Sequence, residues 1–274
     1  MFKIIIMALL IFIGMVGYDS ITDKAQPTTP VQQEQQKVSK HEKSAAMALF
    51  TSLLPPKEEW PSPVHKFYLA FNMDEVIDPI RQNPNWTGLD AMSRDIPQAL
   101  IAIEDHAFYN HGAIAVEGIL RAALANINAG EVVQGGSTLT QQFVKNVFLS
   151  HEQSMERKIE EAVLSLMLED NYSKDEILEL YLNTTYFGAG STGIKQASRT
   201  YFGKAPSALT LAEAAVIASL PYAPTGLNPL ENPDGCKKRQ LLVLAAMHKY
   251  GMINQGQLAE AKAEKIRLTN GTVM

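Results

Sequence analysis

Glu104 and Asp105 stand inside the apolar stretch Ile101 to Phe108. A carboxylate there is expected to be partly desolvated, which raises its affinity for a proton, as a general base requires. A salt-bridged glutamate at the edge of the core is the plainer reading. Further along, Gly135-Gly136-Ser137-Thr138 reads as a glycine loop entering a helix, with Ser137 or Thr138 as its cap. A helix N-terminus with free N–H groups is an anion site. On that helix Thr138, Gln142 and Lys145 fall at i, i+4 and i+7 and share one face, with Leu139 and Phe143 on another. An ordinary capped surface helix accounts for the same pattern. Arg157 and Glu161 are spaced i, i+4, which taken alone suits a surface ion pair of roughly a few tenths of a kcal/mol. His106 and His111 are five apart, on different faces of a continuing helix, and no third ligand lies nearby, so they do not form a zinc site.

These residues need helices to carry them. The segment IPQALIAIEDHAFYNH predicts one helix starting near Pro97, since proline suits a first turn. AIAVEGILRAALANINAG predicts a very apolar helix closed by Gly130. MERKIEEAVLSLMLED repeats apolar residues at Ile159, Val163, Leu166 and Met167, a helical spacing. SKDEILELYLN opens with a capping box, Ser173 with Glu176, and TLAEAAVIASLP with another, Thr210 with Glu213. KKRQLLVLAAMHKYGMI is helical up to Gly251. Between Ser44 and about Asp95 prolines break the pattern and leave the region unassigned, with the FYLAF run at Phe67 to Phe71 compatible with a short strand. The sequence predicts a body that is nearly all α.

The chain has 274 residues and a net charge of −5, so no basic stripe suggests nucleic acid. Cys236 is the only cysteine, which excludes an intrachain disulfide, and a lone cysteine is more often inert filler than a reactive thiol. Lys3 precedes an apolar run, Ile4 to Tyr18, followed by Asp19. As a helix those roughly 15 residues reach about 22 Å, short of a bilayer core of about 30 Å. A cleaved signal peptide competes. No small-x-small cleavage site stands near Val16 to Ser20, and there is no lipobox cysteine, which favours an uncleaved anchor. The charge asymmetry puts the N-terminus inside and the body outside the membrane. The organisation expected is therefore an anchor or signal sequence over 1–18, a flexible polar tether over 19–43, an unassigned lead-in over 44–95 and a catalytic domain over 96–268.

Together EDHAFYNH, GGSTLTQQFVKN, RKIEE and KDEILELYLNTTYFGAG occur in the order and approximate spacing of family-51 peptidoglycan glycosyltransferases, the transglycosylase domain of class A penicillin-binding proteins. The similarity runs from about Ile96 to Ile253. The resemblance implies an all-α fold, a lysozyme-like helical lobe plus a smaller membrane-associated jaw lobe. The activity it implies is polymerisation of lipid II into glycan strands by inverting β-1,4 transfer, with release of undecaprenyl diphosphate. Glu104 matches the general base on the acceptor's 4-hydroxyl, and Glu161 the glutamate that assists at the leaving diphosphate. Lys145, Arg157 and Lys158 resemble the cations that hold that diphosphate. Asp105, Ser137, Thr138, Gln141, Gln142 and Asn146 complete the expected substrate-binding set. A diphosphate is already a good leaving group, so cations can replace the acid that a hydrolase needs.

The sequence departs from the family pattern in places. Ala113 stands where the family has glycine, with Gly112 one place early, and Ala115 replaces an often acidic residue. The approach from Pro97 to Glu104 is about one helical turn short. Arg239 is followed by Gln240 instead of a second arginine. Neither S-x-x-K nor K-T-G, the motifs of the transpeptidase in bifunctional relatives, occurs in the chain, so the expected enzyme is monofunctional. A lysozyme-like glycan hydrolase and a catalytically degenerate cell-wall scaffold are the alternatives. No metal site is evident. A divalent cation, Mg or Mn, could bridge the diphosphate to Glu161 or Asp105 by inference from the reaction. Expected partners are lipid II, the lipid-linked glycan chain, the membrane and other cell-wall synthesis proteins. The expected location is the bacterial cytoplasmic (inner) membrane, single-pass, with the catalytic domain on its outer face.

Overall fold

The computed structural model describes residues 68–120, 127, 135–149 and 154–274. The chain divides into two compact units, Met1–Asn72 and Met73–Met274. In the first, residues 68–71 form a helical turn, with the Asn72 N–H donating to the carbonyls of Tyr68 and Leu69. The strand expected over Phe67 to Phe71 is thereby corrected. A short apolar run does not distinguish strand from buried helix by periodicity alone.

The second unit is built from helices. In chain order they are α1 (Asp74–Arg81), α2 (Asp95–Glu104), α3 (Leu139–Phe148), α4 (Met155–Asn171), α5 (Lys174–Thr184), α6 (Ile194–Phe202), α7 (Leu211–Ser219), α8 (Pro233–Lys249) and α9 (Gln255–Ala263). Among the described residues there is no strand, only the isolated bridges Tyr186–Thr192 and Arg267–Val273. The all-α, lysozyme-like class expected from the sequence holds.

Local chemistry sets the helix ends. The capping boxes read from the sequence form as expected, Ser173 with Glu176 at α5 and Thr210 with Glu213 at α7. Two more form at α3, Thr138 with Gln141, and at α9, Asn254 with Gln257. Each satisfies two backbone N–H groups that a helix start leaves without partners. Pro233 opens α8, and Gly251 follows its end with φ +74°. Gly193 opens α6 at φ +85°, where a Cβ would stand 2.7 Å from the Asn183 carbonyl oxygen, so the close approach of α6 to the end of α5 needs glycine there.

α7 is the central core element, buried from Ala212 to Ser219, and packs chiefly on α8 and α2. α3 packs on α5 and α4. The first group carries the C-terminal end of α2, and the second carries the polar faces of α3 and α4. Gln240, in place of the expected second arginine, is fully buried and donates from Nε2 to the Ala212 carbonyl at 2.8 Å, tying α8 to α7. Arg239 instead stacks on Tyr222, its guanidinium 4.2 Å from the ring centre. Cys236 is buried against Ser219, and burial pushes its thiol up to about 11, so it is inert packing.

The apolar segment after Ala113 is helical at 116–120 and at 127, and its residues 121–126 and 128–130 lie outside the described residues. So does the Ile4 to Tyr18 run. No helix among the described residues is long and apolar enough to cross a membrane.

Candidate active site

α2 ends at Glu104, so the single helix expected to run on through His111 is corrected. Asp105 leaves the helix at φ −157°, ψ 67°, and turns follow to residue 111. The cause is the Asp105 side chain. It is buried, accepts the Leu139 N–H on Oδ2 at 3.0 Å, and meets His111 Nε2 on Oδ1 at 2.6 Å. His111 Nδ1 donates to the Gly112 carbonyl at 2.6 Å. Both ring nitrogens face acceptors, so the ring acts as a double donor, the imidazolium form. The bond to Asp105 holds the His111 pKa above its usual value against the opposing effect of burial, and the Gly112 carbonyl adds to the rise. His106 stacks on Tyr250 at a centroid distance of 4.2 Å. The two histidines thus brace the loop that follows Glu104.

The N-terminus of α3 receives this loop. Thr138 accepts the Gln141 N–H and donates to the Ala113 carbonyl at 2.7 Å, and Gln141 Oε1 accepts the Thr138 N–H. Thr138 and Gln141, expected among the substrate-binding residues, are buried and occupied in the cap. The anion expected at this helix start is supplied internally by Asp105, which takes the Leu139 N–H. Ala113 is buried, and its backbone stays out of the positive-φ region, where Ala189 (φ 49°) is the one non-glycine among the described residues. The loop therefore tolerates the methyl group without backbone strain.

Beyond the cap, α3 presents Gln142 and then Lys145 and Asn146. Gln142 Nε2 donates to Glu104 Oε2 at 3.0 Å, and Tyr181 on α5 donates its hydroxyl to Gln142 Oε1 at 3.0 Å. Lys145 and Asn146 are exposed, and among the described residues no carboxylate pairs with Lys145. An unpaired exposed cation on the face that reaches Glu104 is available to an anionic ligand.

α4 supplies the second glutamate. Ser154 caps the helix, and about two turns in, Glu161 is 1% exposed. Arg157 Nη1 bonds Glu161 Oε2 at 3.0 Å, and Lys158 Nζ bonds both Glu161 Oε1 and, at 3.3 Å, Ser137 Oγ. The i, i+4 pair is therefore real but not a surface pair. Arg157 Nε is buried without a partner among the described residues. The apolar spacing correctly marks this helix but not its inner face. Glu161, Leu164, Ser165 and Leu168 turn inward, while Ile159 and Leu166 are exposed, and Val163 and Met167 are only partly covered.

Both glutamates are thus tied to one segment, Ser137 to Gln142: Glu104 through Gln142, and Glu161 through Lys158 and Ser137. Among the described residues no group of three or more His, Cys, Asp or Glu could hold a metal ion. Glu161 and Asp105, the carboxylates considered for a divalent cation, are each held on both oxygens, Glu161 by Arg157 and Lys158 and Asp105 by His111 and the Leu139 N–H. Tyr181 is the site residue that sequence reasoning missed, and His111 was weighed there only as a metal ligand.

A model of the family described as Transglycosylase matches residues 73–248. Over 194 residues the chain is 41% identical to a protein of Cupriavidus necator named as a transglycosylase, covering 71% of this chain and 84% of that one. It is 45% identical over 181 residues to penicillin-binding protein 2D of Bacillus subtilis, covering 66% of this chain and 26% of that protein. It is 44% identical over 185 residues to penicillin-binding protein 1A of Neisseria flavescens, covering 68% and 23%. The match thus spans about a quarter of the length of these two penicillin-binding proteins.

Proposed function

The chain belongs to the transglycosylase family, and on that premise we propose that it polymerises lipid II into glycan strands, forming β-1,4 links with inversion and releasing undecaprenyl diphosphate. The observation that carries the reading is the pairing of a glutamate held by Gln142 of α3 with a cationic cluster made of Lys145 on α3 and Arg157 and Lys158 on α4. Among the described residues Glu104 accepts its hydrogen bond from Gln142, on Oε2. Its other oxygen takes the proton of the acceptor's 4-hydroxyl, and that hydroxyl oxygen attacks C1 of the donor muramyl sugar. Lys145, Arg157 and Lys158 neutralise the departing diphosphate, with Glu161 holding the last two in place. A hydrolase acting on a neutral glycan has no use for that many cations beside its carboxylates.

The reading extends to location. We take the enzyme to work on the outer face of the bacterial cytoplasmic membrane, held by the Ile4 to Tyr18 run, on a substrate with a polyprenyl tail. Val116, Ile119, Leu120 and Ile127 are exposed, which suits contact with lipid better than burial in a core. The sequence carries no S-x-x-K or K-T-G motif, so the activity proposed for these residues is glycan polymerisation alone. Purified protein with labelled lipid II tests the proposal. Polymer is the expected product. Shortening of added glycan would instead favour a hydrolase, and neither reaction would favour a scaffold for other wall-building proteins.

A further inference from the structure

We infer that Tyr181 is a positioning residue that fixes the amide of Gln142, and through it leaves Glu104 Oε1 as the proton-accepting oxygen. The inference rests on the reading of Glu104 as the general base. Tyr181 lies on α5, 1% exposed, and its hydroxyl sits 3.0 Å from Gln142 Oε1. The opposite end of the same amide donates to Glu104 Oε2 at 3.0 Å.

The orientation of that amide follows from chemistry. An ionised carboxylate only accepts, so Nε2 must face Glu104, and Oε1 must face Tyr181 and be given a donor. Tyr181 supplies it at 3.0 Å, with the Thr185 side chain as a further polar neighbour of its hydroxyl. Burial pushes its phenol well above the usual tyrosine value, and the nearby Glu104 charge pushes it further, so the hydroxyl keeps its proton at any working pH. The amide is thus clamped at both ends. A clamped amide occupies Oε2 of Glu104 and stabilises the ionised carboxylate, while Oε1, which no described residue engages, is left for an acceptor hydroxyl. Without the phenol, Gln142 Oε1 loses its donor. The amide then rotates or turns to water, and Glu104 loses a fixed donor.

Tyr181→Phe in the full-length protein keeps the ring and removes the hydroxyl. On lipid II we expect kcat to fall by about tenfold or more with KM unchanged. The acid limb of the rate profile should move to higher pH, since a lost donor disfavours the charged carboxylate. A purely structural role for the ring would lower the melting temperature without moving that limb. The side-chain amide signals of Gln142, followed by nitrogen-resolved NMR, give a readout that needs no activity. In the wild type they should shift as the pH falls through the carboxylate range, and Glu104→Gln should abolish that response. Tyr181→Phe should weaken it. Unchanged kcat, limb and amide signals in Tyr181→Phe would overturn the inference. If that variant does not fold, wild-type amide signals that ignore pH overturn it instead. If the wild type makes no polymer while the amide signals respond as described, the proposed function fails and the positioning stands.

Discussion

Glu104→Gln keeps the side chain's shape and its reach to Gln142 but cannot take a proton. A general base contributes about 10²–10⁴ in rate, so lipid II polymerisation should fall near background while the circular dichroism spectrum stays that of the wild type. Retention of most activity would move the base elsewhere, with Glu161 the next candidate. The cations divide by burial. Lys145 is exposed and unpaired among the described residues, so Lys145→Ala should cut turnover by roughly tenfold or more with no change in melting temperature. Arg157 pairs with a glutamate that is 1% exposed. Breaking an isolated buried pair costs about 3–5 kcal/mol, but Lys158 still neutralises Glu161 in Arg157→Ala, so that variant should lose activity and only part of that stability, read as a lower melting temperature. Activity assays beside thermal melts check both variants, and an Arg157→Ala protein as stable as wild type would mean the pair contributes little. Glu104 is legible in the sequence because a carboxylate inside an apolar run stands out, whereas Lys145, Arg157 and Glu161 are legible through the ordered motifs that resemble the family, since Arg157 and Glu161 alone read as a surface pair. Tyr181 is not, because a tyrosine spaced with Ile177 and Leu178 announces burial, and nothing local says that its hydroxyl meets Gln142.

At the scale of elements, the junction between α2 and α3 carries the site, and an ion pair closes it. Asp105 receives His111 on one oxygen and the first N–H of α3 on the other. The groups facing His111 are Asp105 and the Gly112 carbonyl, which favour its charge, and Lys174, which opposes it. Lys174 itself is paired with Glu169 and lies over the Phe108 ring. The folded pKa of His111 is raised above the unfolded one. Its contribution to stability is therefore full below the unfolded value of about 6.5 and is lost as the pH rises through the folded value. Denaturant titrations across that window should show stability declining with pH, and His111→Asn should remove this part of the decline. An identical pH slope in the variant would show that the ring is not charged in the fold. Helix existence is legible here, through caps and apolar spacing, while the break at Asp105 is not. Local propensity favours continuing past Glu104, and only the distant N-terminus of α3 makes leaving the helix worthwhile. The same blindness explains α4, where the apolar stripe marks the helix but the inner face is chosen by Glu161 and its cations.

For the molecule as a whole, the decisive surface is apolar and exposed. Val116 and Leu120 are 64% and 60% exposed, Ile127 74%, and on α4 Met155 and Ile159 are 79% and 61%. Isolated exposed apolar residues are ordinary, but several on short helical stretches are not. The proposed substrate, with its polyprenyl tail, would bring the enzyme to a bilayer, where such side chains lose their contact with water. Transferring one large aliphatic side chain out of water stabilises by about 1.5–3 kcal/mol, and each 1.4 kcal/mol is about tenfold in partitioning. A chain beginning at Ser44, free of the Ile4 to Tyr18 run, should therefore still float with liposomes. Val116→Asp with Leu120→Asp should abolish most of that flotation, because two carboxylates would have to enter the interface. Both positions are exposed, so the double variant should melt at the wild-type temperature and stay monomeric without lipid. Its activity on lipid II in bilayers should drop further than on a short-tailed substrate in detergent, since the reacting groups around Glu104 are untouched. A chain from Ser44 that remains wholly in the aqueous fraction would end the membrane-contact reading of these residues.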